Sequence, residues 1–181
     1  DGTSTVWVKG LPLAANVCAI GDQEFPTLDD ALAKVDGTAA APTVIRLLTS
    51  IDYDKTLALG NRHVLFDLNG FDLMVDGGAQ TGLLVIGGTA TYTGTGGFVV
   101  FGAERVVEVN TGGMATVTGI RIAGAHSSGA YAGGDGSRVV VDGEIRTTGA
   151  HDRVIGAYAE GDGAQVRVNG AIRIEGGNTY G

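Results

Sequence analysis

Two columns of glycine recur in step along this chain. Gly70, Gly94, Gly119, Gly143 and Gly170 lie 24, 25, 24 and 27 residues apart, and Gly87, Gly112, Gly136 and Gly163 follow at 25, 24 and 27. The first column closes a repeated phrase, from Leu68-Asn69-Gly70 and Thr91-Tyr92-Thr93-Gly94 through Thr116-Val117-Thr118-Gly119 and Val140-Val141-Asp142-Gly143 to Arg167-Val168-Asn169-Gly170. A fixed period of this size means one supersecondary unit stacked on copies of itself. Between the glycines stand short apolar–polar alternations such as Val166-Arg167-Val168 and Ile172-Arg173-Ile174, which as strands put one face inward. Gly-Asp-Gly at 134–136 and 161–163, and Asp-Gly or Asn-Gly at 142–143 and 169–170, read as bends, where glycine takes positive φ without a Cβ clash. Roughly three strands and three bends per period, with no helix between them, predict an all-β fold, a right-handed parallel β-helix of about six rungs. Stacking rungs at roughly 4.8 Å sets Val117, Val141 and Val168 over one another, each burial contributing roughly 1.5–3 kcal/mol.

Composition fits that architecture. Glycine supplies 32 of 181 residues, against an ordinary ~7%, and the turns absorb the excess. Hydrophobic residues make up 44% and aromatics only 6%, which suits a narrow interior of Val, Ile, Leu and Ala. The formal charge of −8 argues against nonspecific nucleic-acid binding. No apolar run approaches the ~18 residues that a membrane-inserted helix needs. Cys18 is the sole cysteine, so no internal disulfide can form, and it reads as a small buried hydrophobe. Neither a metal nor another cofactor is expected.

The chain divides into a leader at 1–16, an N-terminal strand and capping helix at 17–41, and rungs over 42–181 that continue or stay open at the C-terminus. Val6-Trp7-Val8 is a candidate strand of the leader, with Trp7 packed against the cap. The start at Asp1 and the end in a glycine-rich bend suggest a segment of a longer protein, or a mature form. An open last rung also leaves end-to-end self-association as an expectation. In the cap, Ala19-Ile20 reads as a strand, Gly21-Asp22 as a turn and Thr27 as a helix N-cap with Asp30 three residues on. Leu28, Ala31, Leu32 and Val35 then form one apolar stripe, suited to covering the open end of the first rung. Asp29 and Asp30 complement the helix dipole rather than forming a catalytic pair.

The run Ile20-Gly21-Asp22-Gln23-Glu24-Phe25-Pro26-Thr27-Leu28-Asp29-Asp30-Ala31-Leu32 is similar to the strand–turn–helix that opens many pectin-lyase-like right-handed β-helix proteins, and Val64 to Gly70 resembles the strand that follows. Together they most resemble β-helix segments of large secreted or wall-attached bacterial surface proteins. The resemblance implies a solenoid fold and a secreted or cell-surface setting; it leaves activity open, because this fold hosts lyases, hydrolases, esterases and adhesins alike. The motifs of the family's hydrolases, Asn-Thr-Asp, Asp-Asp, Gly-His-Gly and Arg-Ile-Lys on successive rungs, are missing at rung positions. Gln23, Gln80 and Gln165 are too scattered for the oxyanion pair of its esterases.

Several columns remain as candidate sites. Tyr131 and Tyr158 occupy equivalent places in Gly-Ala-Tyr-Ala and are expected to stack, offering a platform for a sugar ring or merely packing on each other. Arg121, Arg146 and Arg173 align, once one residue is inserted after Gly143, in a stripe suited to an anionic glycan, with Glu144 and Glu175 beside it to neutralise charge. Asp67, Asp72 and Asp76 form the densest acid set, read as a solvated outer face. His126 and His151, in matching bends near Asp152, fall short of three disciplined metal ligands. A threonine array at 91, 93, 116 and 118 stops after two rungs. The expected function is a non-catalytic surface module that contacts a glycan or a host matrix. A polysaccharide lyase or hydrolase segment is the alternative, and a structural stalk a third reading.

Overall fold

The computed structural model describes residues 15–149 and 151–175, with the backbone alone of 179–180. Trp7 and the candidate strand at 6–8 lie outside the described residues.

The chain winds as a right-handed parallel β-solenoid of about five turns, its strands gathered into three sheets. Sheet A stacks Thr43–Leu47, His63–Asp67, Thr89–Thr93, Met114–Val117, Arg138–Val141 and Gln165–Val168. Sheet B stacks Ile51–Tyr53, Leu73–Asp76, Phe98–Gly102, Gly119–Ile122, Ile145–Thr147 and Ile172–Arg173. Sheet C stacks Leu57–Leu59, Leu83–Ile86, Arg105–Asn110, Ser128–Gly133, Val154–Glu160 and Thr179–Tyr180. Every neighbouring pair within these stacks is parallel. The expected register holds, with Val117 beside Val141 and Val141 beside Val168.

Alternation along each strand decides which side chains go inward. On sheet C the inward column runs Leu57, Leu83, Val107, Ala130, Ala157, so the interior narrows as the chain ascends. The lower rungs compensate with bulk. Phe66 and Phe98 are fully buried and meet edge to face, centroids 5.3 Å apart.

The glycine columns divide into two physical classes. Gly87, Gly112, Gly136 and Gly163 all take φ near 70°, a uniform left-handed corner. In the other column only Gly70 and Gly94 do so. Gly119 lies within a strand, and the bends expected at Gly143 and Gly170 do not need positive φ. Those two are glycine because a Cβ would collide with the carbonyl oxygen one rung below, Thr118 or Gly143 respectively. Close stacking of backbone, rather than turn geometry, fixes them.

The lower end is closed by two devices. Cys18–Ile20 pairs antiparallel with Thr43–Leu47, and Gln23–Phe25 folds back on it, so the exposed edge of sheet A is occupied. The helix Leu28–Leu32 buries Leu28, Ala31 and Leu32 in the same core, with the Thr27 hydroxyl accepting from the Asp30 N–H at 3.1 Å. Asp29 ties the helix to the first rung. It accepts from the Tyr53 hydroxyl at 2.7 Å and from Lys55 at 2.5 Å, which hold its carboxyl below the usual carboxylate range. No helix among the described residues is long and apolar enough to cross a membrane.

Candidate functional site

The outward positions of sheet C carry the most site-like arrangement. Register places Leu84, Glu108, Tyr131 and Tyr158 in one column. The tyrosine rings stack as the spacing predicts, centroids 5.8 Å apart and 25° from parallel. Their environments differ, however. Tyr131 is only 6% exposed and Tyr158 is 44% exposed. The Arg105 guanidinium lies 3.9 Å from the Tyr131 centroid, so this ring is sandwiched between a cation and the next tyrosine. Gly133 makes the room, because a Cβ there would strike the Tyr131 ring and the Asn110 side chain. Tyr131 is thus enclosed between Arg105 and Tyr158, and Tyr158 is the more exposed ring of the pair. A hydrogen bond to Glu160 holds the Tyr158 hydroxyl above its ordinary pKa.

Arg105 is the hinge of the arrangement. It donates to Glu108 at 2.8 Å, and Asn110 donates to the same carboxylate oxygen at 3.0 Å. Arg105 and Glu108 also line a groove of about 700 Å³ at the corner between sheets B and C, with Glu104, His126 and Ser128 on its walls. The groove is polar, and the tyrosine stack adjoins it through Arg105. Sequence reading missed Arg105, Glu104 and Glu108, because they lie on a rung without a recognisable phrase; the one signal was Arg105-x-x-Glu108 facing the tyrosine column.

The arginines form a separate feature. Arg121, Arg146 and Arg173 are in register on sheet B, as expected, and Glu144 reaches all three, at 3.2, 3.7 and 3.6 Å. One carboxylate shared by three guanidinium groups leaves the row cationic, most openly at Arg173, whose side chain is 72% exposed. The neutralising partner is thus Glu144; Glu175 instead donates its backbone N–H to Thr147. The five predicted residues therefore belong to two faces, not one site. Lower on sheet B, Asp52, Asp54 and Asp76 border a hollow of about 290 Å³ with Met74 and Phe101.

The remaining candidates act within the fold. Asp67, Asp72 and Asp76 do not converge; each accepts a backbone N–H at a corner, from Asn69, Gly97 and Gly78 respectively. His126 donates its backbone N–H to the Asp152 carbonyl while His151 bonds Glu175, and among the described residues no cluster of three acids, histidines or cysteines could share a metal ion. Cys18 is fully buried, and burial, with Asp30 nearby, pushes its thiol up to about 11. Comparison with known proteins adds no name to this geometry: no family, curated protein or solved structure matches the chain.

Proposed function

We propose that this chain is a non-catalytic β-helix module of a secreted or cell-surface bacterial protein, akin to the pectin-lyase-like solenoids, and that it holds a neutral or weakly charged glycan on sheet C. What supports the reading is the Tyr131–Tyr158 stack on sheet C, with Arg105 against Tyr131, Tyr158 44% exposed, and a polar groove on the Arg105 side of the stack. A pyranose presents an apolar C–H face and a rim of hydroxyls. The first fits a rigid aromatic ring, and the hydroxyls of further sugar units along a glycan fit the carboxylate, guanidinium, imidazole and hydroxyl groups of the groove. Because the ring is held in place before binding, little side-chain entropy is lost on contact.

A glycan array and affinity electrophoresis through immobilised polysaccharides test this. Retention is expected to fall about tenfold or more on Tyr158→Ala, with the melting temperature nearly unchanged. Absence of retention on every glycan, or retention that Tyr158→Ala leaves intact, would contradict it. A lyase or hydrolase segment is the second reading, favoured by Glu104 and the Glu108–Arg105 pair on the groove walls. It requires new unsaturated or reducing ends from an incubated polysaccharide, lost on Glu108→Gln.

A further inference from the structure

The outward face of sheet B is graded in charge along the axis of the coil. One continuous column is set by strand register: Asp76, Phe101, Arg121, Arg146, Arg173. Asp54 follows Tyr53, the register partner of Val75, and so extends the column below Asp76. The column therefore begins with two exposed carboxylates, passes through an aromatic ring, and ends in three guanidinium groups. The parallel outward column holds Asp52 and Met74 at the acidic end and Val99 in the middle, with Glu144 among the arginines. Among the described residues, Met74 is 38% exposed and Phe101 is half-buried.

Such a column is complementary to itself when reversed. Turning a second copy about a two-fold axis that lies in the plane between the two faces, parallel to the strands and level with the midpoint between Phe101 and Arg121, keeps each column over its own counterpart but inverts its order. Asp54 then faces Arg173, Asp76 faces Arg146, and Phe101 faces Arg121, each pair occurring twice as an isologous interface requires. Met74 and Val99 meet the spaces around Glu144 and Gly119. The alternative parallel arrangement sets carboxylate on carboxylate and arginine on arginine, and is repelled. We infer that sheet B is a self-association face on which two copies of this chain pair side by side, antiparallel, with the acidic rungs of each on the arginine rungs of the other.

The size of the face sets the strength. Six strands at about 4.8 Å and a strand width of about 15 Å give a patch well below the ~800 Å² per partner of stable complexes. The pair is accordingly a weak one, and each copy carries a formal charge of −8 that opposes approach until salt screens it. Opposed guanidinium–carboxylate pairs supply specificity of orientation more than affinity. The inference is independent of the glycan reading, because Tyr158 and the groove lie on sheet C and its corner.

Sedimentation equilibrium in about 0.15 M salt, from tens of micromolar to about a millimolar, reads the association directly. The wild-type mass is expected to rise toward that of a dimer. The double variant Asp54→Arg with Asp76→Arg, and separately Arg146→Asp with Arg173→Asp, are each expected to weaken pairing by about tenfold or more. An equimolar mixture of the two is expected to recover it, since four carboxylates of one column then face four guanidinium groups of the other, with Arg121 of each copy opposite Phe101. The milder Asp54→Asn with Asp76→Asn is expected to weaken pairing as well, and circular dichroism melts check that each variant is folded. A wild-type protein that stays monomeric throughout overturns the inference, and leaves the face to another partner. So does association that neither charge reversal affects, which would place the contact at the ends of the coil, and so does a mixture that fails to recover.

Discussion

Tyr131 and Tyr158 occupy one register column, yet a repeat can give identical residues different work. Arg105 and Gly133 make the difference, one by covering a ring and the other by leaving space for it. The glycines divide in the same way, and the division has a measurable consequence. A Cβ at Gly112 meets only the Asp135 carbonyl oxygen at an ordinary 3.5 Å, so Gly112→Ala incurs mainly the left-handed φ, a cost of about 1 kcal/mol. Gly143→Ala sits at an ordinary φ but drives a Cβ into the Thr118 carbonyl, which is backbone and cannot swing aside. Denaturant midpoints are expected to fall further for Gly143→Ala than for Gly112→Ala; the reverse order would refute the close-stacking account. Cys18 gives a third residue-scale expectation. With its thiol fully buried and its pKa raised, it should resist aromatic disulfide reagents at pH 8 and react only on unfolding. Rapid reaction of the native protein would be inconsistent with the packed cap.

At the scale of elements, the cap depends on charge as well as on apolar contact. Asp29 has a depressed carboxyl in the folded state because Lys55 and Tyr53 bind its ionised form. A depressed acid contributes stability above its unfolded value, near ~3.9, and loses it as pH falls through the folded value. Asp29 is exposed, so the effect is small and solvent-screened. Acid melts of Asp29→Asn should therefore separate from the wild type above about pH 4 and converge on it as pH falls through the lowered folded value. A constant difference across that range would show that the carboxylate is not what fastens the helix. The cap was largely legible beforehand, since Thr27 with Asp30 and the 28-31-32 stripe are local signals. The Asp29–Lys55 tie was not, because it joins residues 26 apart whose meeting depends on how the first rung closes. The Cys18–Ile20 pairing with Thr43–Leu47 escaped for the same reason: three residues of strand carry no sign of direction.

For the whole molecule, the period of glycines and the alternation between them specified the coil, because in a solenoid each turn contacts only its neighbours. Columns within one sheet could be read from spacing, Tyr131 and Tyr158 from a shared phrase and Arg121, Arg146 and Arg173 once one residue is inserted after Gly143. Which sheet a column belongs to could not, since that depends on where each corner falls, and corners here vary in length. Register leaves no residue between Ile86 and Gly87 but places Thr111 between Asn110 and Gly112, and two residues between Gly133 and Gly136. The tyrosines lie on sheet C and the arginines on sheet B. Both proposals, the glycan face and the self-association face, inherit their geometry from the register.

That register is open to a direct test by nuclear Overhauser contacts between backbone Hα and amide protons in isotopically labelled protein. Strands 119–122, 145–147 and 172–173 should show parallel cross-strand contacts that link Ile120 with Ile145, and Ile145 with Ile172. Contacts that instead run antiparallel between strands adjacent in sequence would contradict the coil, and with it both faces.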